Sequence, residues 1–192
     1  MDKPHRVGED MCKIFNVFIF MLFFVGASLF AAEADVVEEK TWQDEFLGTW
    51  NSENWEFVVP VNTWHNRWVY DHKKAHTFNE RPWGFGVGKY RYDASGNRHS
   101  LVGLTFQDSH DSPEPTFAYG WQKIWRQGET IRPSLGLMGG VTFRKDYDWM
   151  PLPAILPVIG VDIGPFSFEN TYVPGLGGNN GHVLFTWITW RF

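Results

Sequence analysis

The sequence predicts an all-β protein: an eight-stranded antiparallel transmembrane outer-membrane β-barrel with a short N-terminal amphipathic helix. Three observations carry this. From Trp55 onward, strand-like runs are separated by turn clusters. The connections alternate between short turns and longer polar or Gly-rich loops, the asymmetry of a membrane barrel. The chain closes on Val183–Phe192, one face of which carries no charge and ends in aromatic residues.

Composition sets the frame. A chain of 192 residues holds one domain, and a net charge of −5 lacks the basic excess of a nucleic-acid binder. Aromatic residues make up 18%, including 11 Trp and 17 Phe, yet mean hydropathy is −0.30. Alternating strands with one apolar face reconcile those two figures. The lone cysteine, Cys12, excludes a disulfide framework and a Cys-based zinc site.

The first element is a targeting segment. The apolar run Ile14–Phe30 follows Lys3, Arg6 and Lys13, and Ala32-Glu33-Ala34 fits a small-x-small cleavage site. Residues 1–34 therefore read as a secretory signal peptide. The run is also just long enough for a marginal membrane anchor. Cleavage would remove Cys12.

Residues 35–54 form the next segment, an amphipathic helix and linker. Val37, Trp42, Phe46, Leu47 and Trp50 share one helical face, and the helix is expected to end near Gly48. That face suits either a membrane interface or packing on the domain.

The barrel occupies residues 55–192. Strands are expected at 55–70, 80–92, 98–107, 115–126, 131–143, 152–163, 166–173 and 182–192. Short turns fall at Asp93–Asn97, Gln127–Thr130 and Gly164-Pro165; longer loops fall at Asp71–Asn79, Asp108–Glu114, Arg144–Pro151 and Pro174–Gly181. An even strand number leaves both chain ends on the short-turn side.

Faces follow from period two. In the last strand Leu184, Thr186, Ile188, Trp190 and Phe192 face lipid; Val183, Phe185, Trp187, Thr189 and Arg191 face inward. In the fourth, bulky Phe117, Tyr119 and Trp121 face lipid, and small Ala118 and Gly120 face inward. In the fifth, Ile131, Leu135 and Leu137 face lipid, opposite Arg132, Ser134, Gly136, Met138 and Gly140. The interior is polar near the short turns and less polar above them. Small residues at Ala118, Gly120, Gly136 and Gly140 would hollow out the outer half for one acyl chain, or would only permit strand curvature. Pro60, Pro82, Pro151, Pro153, Pro157 and Pro174 each remove a ladder donor. Such gaps are either lateral portals for lipid or ordinary bulges.

Candidate chemistry gathers at the longer-loop end. His65, His72, His76, His110 and His182 sit near that rim, and Asp108-Ser109 approaches the same rim as His65. A hydroxyl, a base and a carboxylate are the types acyl transfer needs. The plainer reading is a rim histidine and a turn that bonds its own backbone. No phosphate loop, dinucleotide fingerprint or nucleophile elbow is present.

Several motifs together resemble the lipid A palmitoyltransferase family, the PagP type. They are Thr63-Trp64-His65, the run Asn79-Glu80-Arg81-Pro82-Trp83-Gly84, Phe106-Gln107-Asp108-Ser109 and Tyr119-Gly120-Trp121. Pro151-Leu152-Pro153, Leu156-Pro157, Gly164-Pro165, Thr171-Tyr172-Val173-Pro174 and Asn179-Asn180-Gly181 follow in order. The resemblance extends from about Trp42 to Phe192.

It implies a bacterial outer-membrane enzyme that moves a palmitoyl chain from the sn-1 position of a glycerophospholipid to lipid A. The modified membrane resists cationic antimicrobial peptides. It implies catalytic roles for His65, Asp108 and Ser109, and an acyl-chain ruler with its floor at Gly120. Pro60, Pro82, Pro157 and Pro174 would flank lateral lipid openings, and Arg144 matches the family's arginine after the fifth strand. No cofactor, metal or nucleic acid is implied, and the expected state is a monomer or weak homodimer. Two departures stand out: His110-Asp111 follow the Asp-Ser pair where an aromatic residue is usual, and the loop Thr171–Asn180 is Gly-richer. The competing expectation is a non-catalytic outer-membrane barrel that binds lipid or is purely structural. A soluble lipocalin-like binder conflicts with the apolar outward faces.

Overall fold

In the computed structural model the described residues are 41–68, 78–175 and 182–192. The signal-peptide reading, the segment before Thr41, His72 and His76 lie outside them. Eight antiparallel strands close into one barrel in sequence order: β1 Trp55–His65, β2 Gly84–Tyr92, β3 Arg98–Gln107, β4 Pro113–Ile124, β5 Ile131–Phe143, β6 Pro151–Ile163, β7 Phe166–Val173 and β8 Val183–Arg191. Helix α1 spans Trp42–Trp50 ahead of β1.

Helix α1 begins at a capping box. Asp44 N donates to Thr41 Oγ1 at 3.3 Å, and Thr41 N donates to Asp44 Oδ2 at 2.9 Å. It runs past Gly48 to Trp50, two residues beyond the expected end. Glu45 forms an ion pair with Arg91 of β2, and Phe46 meets Tyr119 of β4 at 6.1 Å between ring centroids. Thr49 is buried, while Trp42 is 74% exposed and Trp50 is also exposed. The helix packs on the barrel through Glu45, Phe46 and Thr49, and its tryptophans Trp42 and Trp50 are exposed.

The largest departures from the expected strand bounds are in β1 and β2, while β4 begins and ends two residues earlier than expected. β1 ends at His65, not at residue 70, because Asn66 turns the chain: Trp68 N donates to Asn66 Oδ1 at 3.0 Å. β2 begins at Gly84, not at residue 80. Asn79 Oδ1 accepts from Arg81 N at 2.8 Å, and Pro82 has no ladder donor. The short turns lie beside Asp93–Asn97, between Ile124 and Ile131, and at Gly164-Pro165.

Outward faces are apolar. Phe117 is 61% exposed, and Leu135, Leu137, Ile155, Ile159, Phe168, Trp190 and Phe192 are exposed with it. In water this would be a large unfavourable patch; in hydrocarbon it is the solvated face. The inward faces form two layers. Nearest the short turns is a polar layer. Arg98 Nη1 donates to Asp162 Oδ1 at 2.9 Å, and Arg98 also pairs with Glu169 and Gln122. Arg191 Nε donates to Glu56 Oε2 at 3.2 Å, and Arg191 Nη1 to Ser167 Oγ at 2.5 Å. Above it Val58, Val158 and Trp187 form an apolar cluster, with Val102, Leu104, Met138 and Phe185 against it. Trp187 joins the layers, donating Nε1–H to Glu169 Oε2 at 2.9 Å.

The first short turn carries a pH-dependent contribution. Asp93 accepts from Ser95 N at 2.8 Å, from Asn97 N at 2.9 Å and from Asn97 Nδ2 at 2.9 Å. Burial pushes its carboxyl up, but these bonds and one from His99 hold it below the ordinary value. A carboxyl depressed in the folded state stabilises above its unfolded value, and that contribution is lost as pH falls through the folded value. Asp93→Asn is therefore expected to lower the urea midpoint at pH 7. The gap from wild type should narrow below about pH 3.9. A gap that stays constant across that range would contradict it.

Candidate active site

The chemistry sits at the rim opposite the polar layer. β1 delivers His65 as its last residue, paired with Val183 of β8. β3 ends at Gln107, so Asp108 and Ser109 open the next turn. The two strands both run outward, which is why residues 44 positions apart meet. His65 Nε2 lies 2.8 Å from Ser109 Oγ. His65 is 1% exposed, and Phe78 stacks on its ring at 4.4 Å and 20°.

Asp108 is 4% exposed, and its two oxygens face different groups. Oδ1 accepts from His110 N at 2.8 Å and from Ser112 N at 2.9 Å. Oδ2 lies 3.7 Å from Arg144 Nη2, so Arg144, expected beyond the fifth strand, does reach the site. Arg144 Nε is also 3.3 Å from Glu114 Oε2, and its Nη2 is 3.6 Å from Asp146 Oδ2. His110 is exposed and faces Asp146 at 3.3 Å, while His182 meets Tyr172 Oη at 2.9 Å. Asp108, His110 and Asp146 bring ligand-type atoms within 4.8 Å of one another. Arg144 already supplies a positive charge beside both of those carboxylates.

Sequence reasoning did not single out Glu80. Its Oε1 lies 3.7 Å from His65 Nδ1 and accepts from His65 N at 3.5 Å. Arg67 Nη2 donates to both carboxylate oxygens, at 2.9 and 2.7 Å. The available signal was a carboxylate inside the Asn79–Gly84 run, which returns to the rim just before β2.

The four prolines flank interruptions in the ladder. β1 and β2 pair only from Trp55↔Lys89 to Val58↔Gly86, and Pro60 lies just beyond, at a register shift against β8. Pro82 is buried on the facing side, before β2. β6 and β7 pair from Ile163↔Phe166 to Val158↔Thr171 and stop at Pro157. Pro174 follows β7. Above both stopping points, the strands continue to pair on their other sides.

The small residues divide into two kinds. A Cβ at Gly136 would lie 1.9 Å from Trp121 O, and one at Gly140 would lie 2.2 Å from Phe117 O. Those two glycines let β4 and β5 approach closely, which is the curvature reading. Gly120 differs: a Cβ there would meet Met138 Cε at 3.4 Å, an ordinary contact. Gly120 is buried between Ser100 of β3 and Met138 of β5 in register, at the boundary of the polar and apolar layers.

A family model described as "Antimicrobial peptide resistance and lipid A acylation protein PagP" matches residues 46–189. The chain belongs to the PagP family. Among its relatives is the lipid A acyltransferase PagP of Laribacter hongkongensis, 47% identical over 153 residues, covering 80% of this chain and 73% of the relative. The protein of the same name from Yersinia enterocolitica is 43% identical over 166 residues, covering 84% and 81%. That from Salmonella typhimurium is 41% identical over 155 residues, covering 79% and 81%. The closed eight-stranded barrel with a helix before its first strand is the fold expected for a PagP-type chain.

Proposed function

We propose that this PagP-family barrel sits in the bacterial outer membrane and transfers a palmitoyl chain from the sn-1 position of a glycerophospholipid to lipid A. The observation that carries this is the His65–Ser109 pair, 2.8 Å apart at the rim of a barrel whose outer half is apolar inside. A donor lipid enters through an interrupted ladder, its acyl chain runs down toward Gly120, and its ester comes to rest at the rim. Pro60 and Pro82 flank one such entry, and Pro157 and Pro174 the other.

His65 is the general base. A hydroxyl oxygen attacks the sn-1 ester carbonyl while its proton passes to Nε2; the same proton then goes to the departing glycerol oxygen of the lysophospholipid. Two routes share this step. Ser109 Oγ attacks first and hands the chain on, or the lipid A hydroxyl attacks directly while Ser109 holds the ester. An acyl-Ser109 adduct trapped in the absence of lipid A selects the first. Full activity in Ser109→Ala removes Ser109 from the chemistry. Asp108 and Arg144 form the ion-paired wall of this rim. An added chain on lipid A packs the outer leaflet more densely, which fits resistance to cationic antimicrobial peptides.

Chain length tests the interior part of this reading. Methionine at Gly120 fills the space at the layer boundary, where Met138 already lies. Each excluded methylene shifts discrimination by about 1–3 kcal/mol. Gly120→Met is expected to reject palmitate and to transfer shorter chains from a mixed phospholipid pool, read by mass spectrometry of the product. An unchanged length distribution would place the chain elsewhere.

A further inference from the structure

We infer that Glu80, rather than Asp108, is the carboxylate that positions His65 for catalysis; this rests on the acyl-transfer reading above. His65 presents Nε2 to Ser109, so its second ring nitrogen, Nδ1, must be held by something else if the ring is to stay aimed. Glu80 Oε1 stands 3.7 Å from Nδ1. Asp108 spends Oδ1 on the backbone of its own turn and turns Oδ2 toward Arg144.

Glu80 is itself fixed from three directions. Arg67 grips both its oxygens, His65 N donates to Oε1, and Thr63 N donates to the Glu80 carbonyl at 3.1 Å. That last bond spans β1 and the segment before β2, above the end of their ladder. The carboxylate is therefore built into the rim beside one of the lipid openings. Closing 3.7 Å to a hydrogen bond takes a movement of about 0.8 Å, and catalytic hydrogen bonds commonly tighten only with substrate bound.

With Nδ1–H facing Glu80, Nε2 carries a free lone pair toward the hydroxyl and accepts its proton. The resulting imidazolium lies between the Glu80 carboxylate and the reacting oxygen, and no proton has to pass to Glu80. The proton leaves from Nε2 to the departing glycerol oxygen. Asp108 then has a separate role: it shapes the turn that holds Ser109 in place.

The tautomer of His65 tests this without requiring activity. Full-length protein extracted in detergent and labelled with ¹⁵N-histidine should show His65 protonated at Nδ1 and unprotonated at Nε2 at neutral pH. Glu80→Gln should redistribute that tautomer, and Asp108→Asn should leave it in place. In the transfer assay, Glu80→Gln should lower kcat by about 10²-fold or more with the phospholipid KM within about twofold, the signature of a misaimed base. Wild-type His65 protonated at Nε2 overturns the inference, as does an Asp108→Asn spectrum that changes as much as that of Glu80→Gln. Should Glu80→Gln fail to fold, the wild-type and Asp108→Asn spectra decide alone. A wild type with the expected tautomer but no transfer would discard the acyl-transfer reading and leave the Glu80–His65 pairing standing.

Discussion

Replacing His65 by alanine is expected to slow acyl transfer by about 10²–10⁴-fold, the usual contribution of a positioned general base. The side chain is buried, touches Ser109 through Nε2 and stacks on Phe78. It lies at the last ladder position of β1, so the strand does not depend on it to pair with β8. The barrel should therefore still form, with its heat-modifiable gel mobility retained. His65→Asn keeps a similar shape without the base and should be as slow as alanine. A folded His65→Ala barrel within about threefold of the wild-type rate would remove His65 from the reaction.

Arg98→Ala is expected to give the largest stability loss. Arg98 is fully buried and pairs with Asp162, Glu169 and Gln122 at the inner end of the barrel. Removing it leaves two buried carboxylates with less compensation, Arg191 being 3.6 Å from Asp162 and 4.0 Å from Glu169. Breaking one partner of a buried ion pair costs about 3–5 kcal/mol. The loss should appear as a lower urea midpoint for the detergent-folded protein. The double variant Arg98→Ala/Asp162→Ala should lose less than the two single losses added, because the second change removes a charge that the first left undercompensated. Additive losses would mean that the pair is not coupled.

The strands were readable because the environment imposes a strict alternation. A residue on a membrane barrel faces lipid or the interior, and a one-residue slip exchanges the two. Phe117, Trp121, Leu135, Leu137 and Trp190 lie outward, and Gly120, Ser134, Trp187 and Arg191 lie inward, as the period required. The bounds at residues 66–83 were less readable, because the chain there ends its strands through Asn66 and Asn79 side-chain bonds that no apolar pattern records. The inner polar layer also leaves a signal in the sequence. Glu56, Arg98, Asp162, Glu169 and Arg191 are charged residues at buried inward positions toward the short-turn end of the barrel. Their pairing, between β3, β6, β7, β8 and β1, comes from closure of the barrel and has no local code.

The site was legible in part. His65 and Ser109 were brought to one rim by strand direction, and the structure makes them neighbours. Strand direction brought Asp108 to the same rim, and there its contacts run to its own turn and to Arg144. Glu80 comes close to His65 through a segment with no regular periodicity, which leaves no pattern to read. Among the small residues, alternation put Gly120, Gly136 and Gly140 on one side of the wall. Only the close approach of β4 and β5 separates the two that serve the backbone from the one that leaves room.

The most direct test is to follow one acyl chain. The detergent-extracted protein would be given a phospholipid carrying isotopically labelled palmitate at sn-1 and a different chain at sn-2, together with lipid A. Labelled palmitate should appear on lipid A, with a lysophospholipid retaining the sn-2 chain formed in equal amount. A barrel shown to be folded by its heat-modifiable mobility that leaves both lipids unchanged, or that moves the sn-2 chain, would contradict the acyltransferase reading and favour a barrel that only binds lipid.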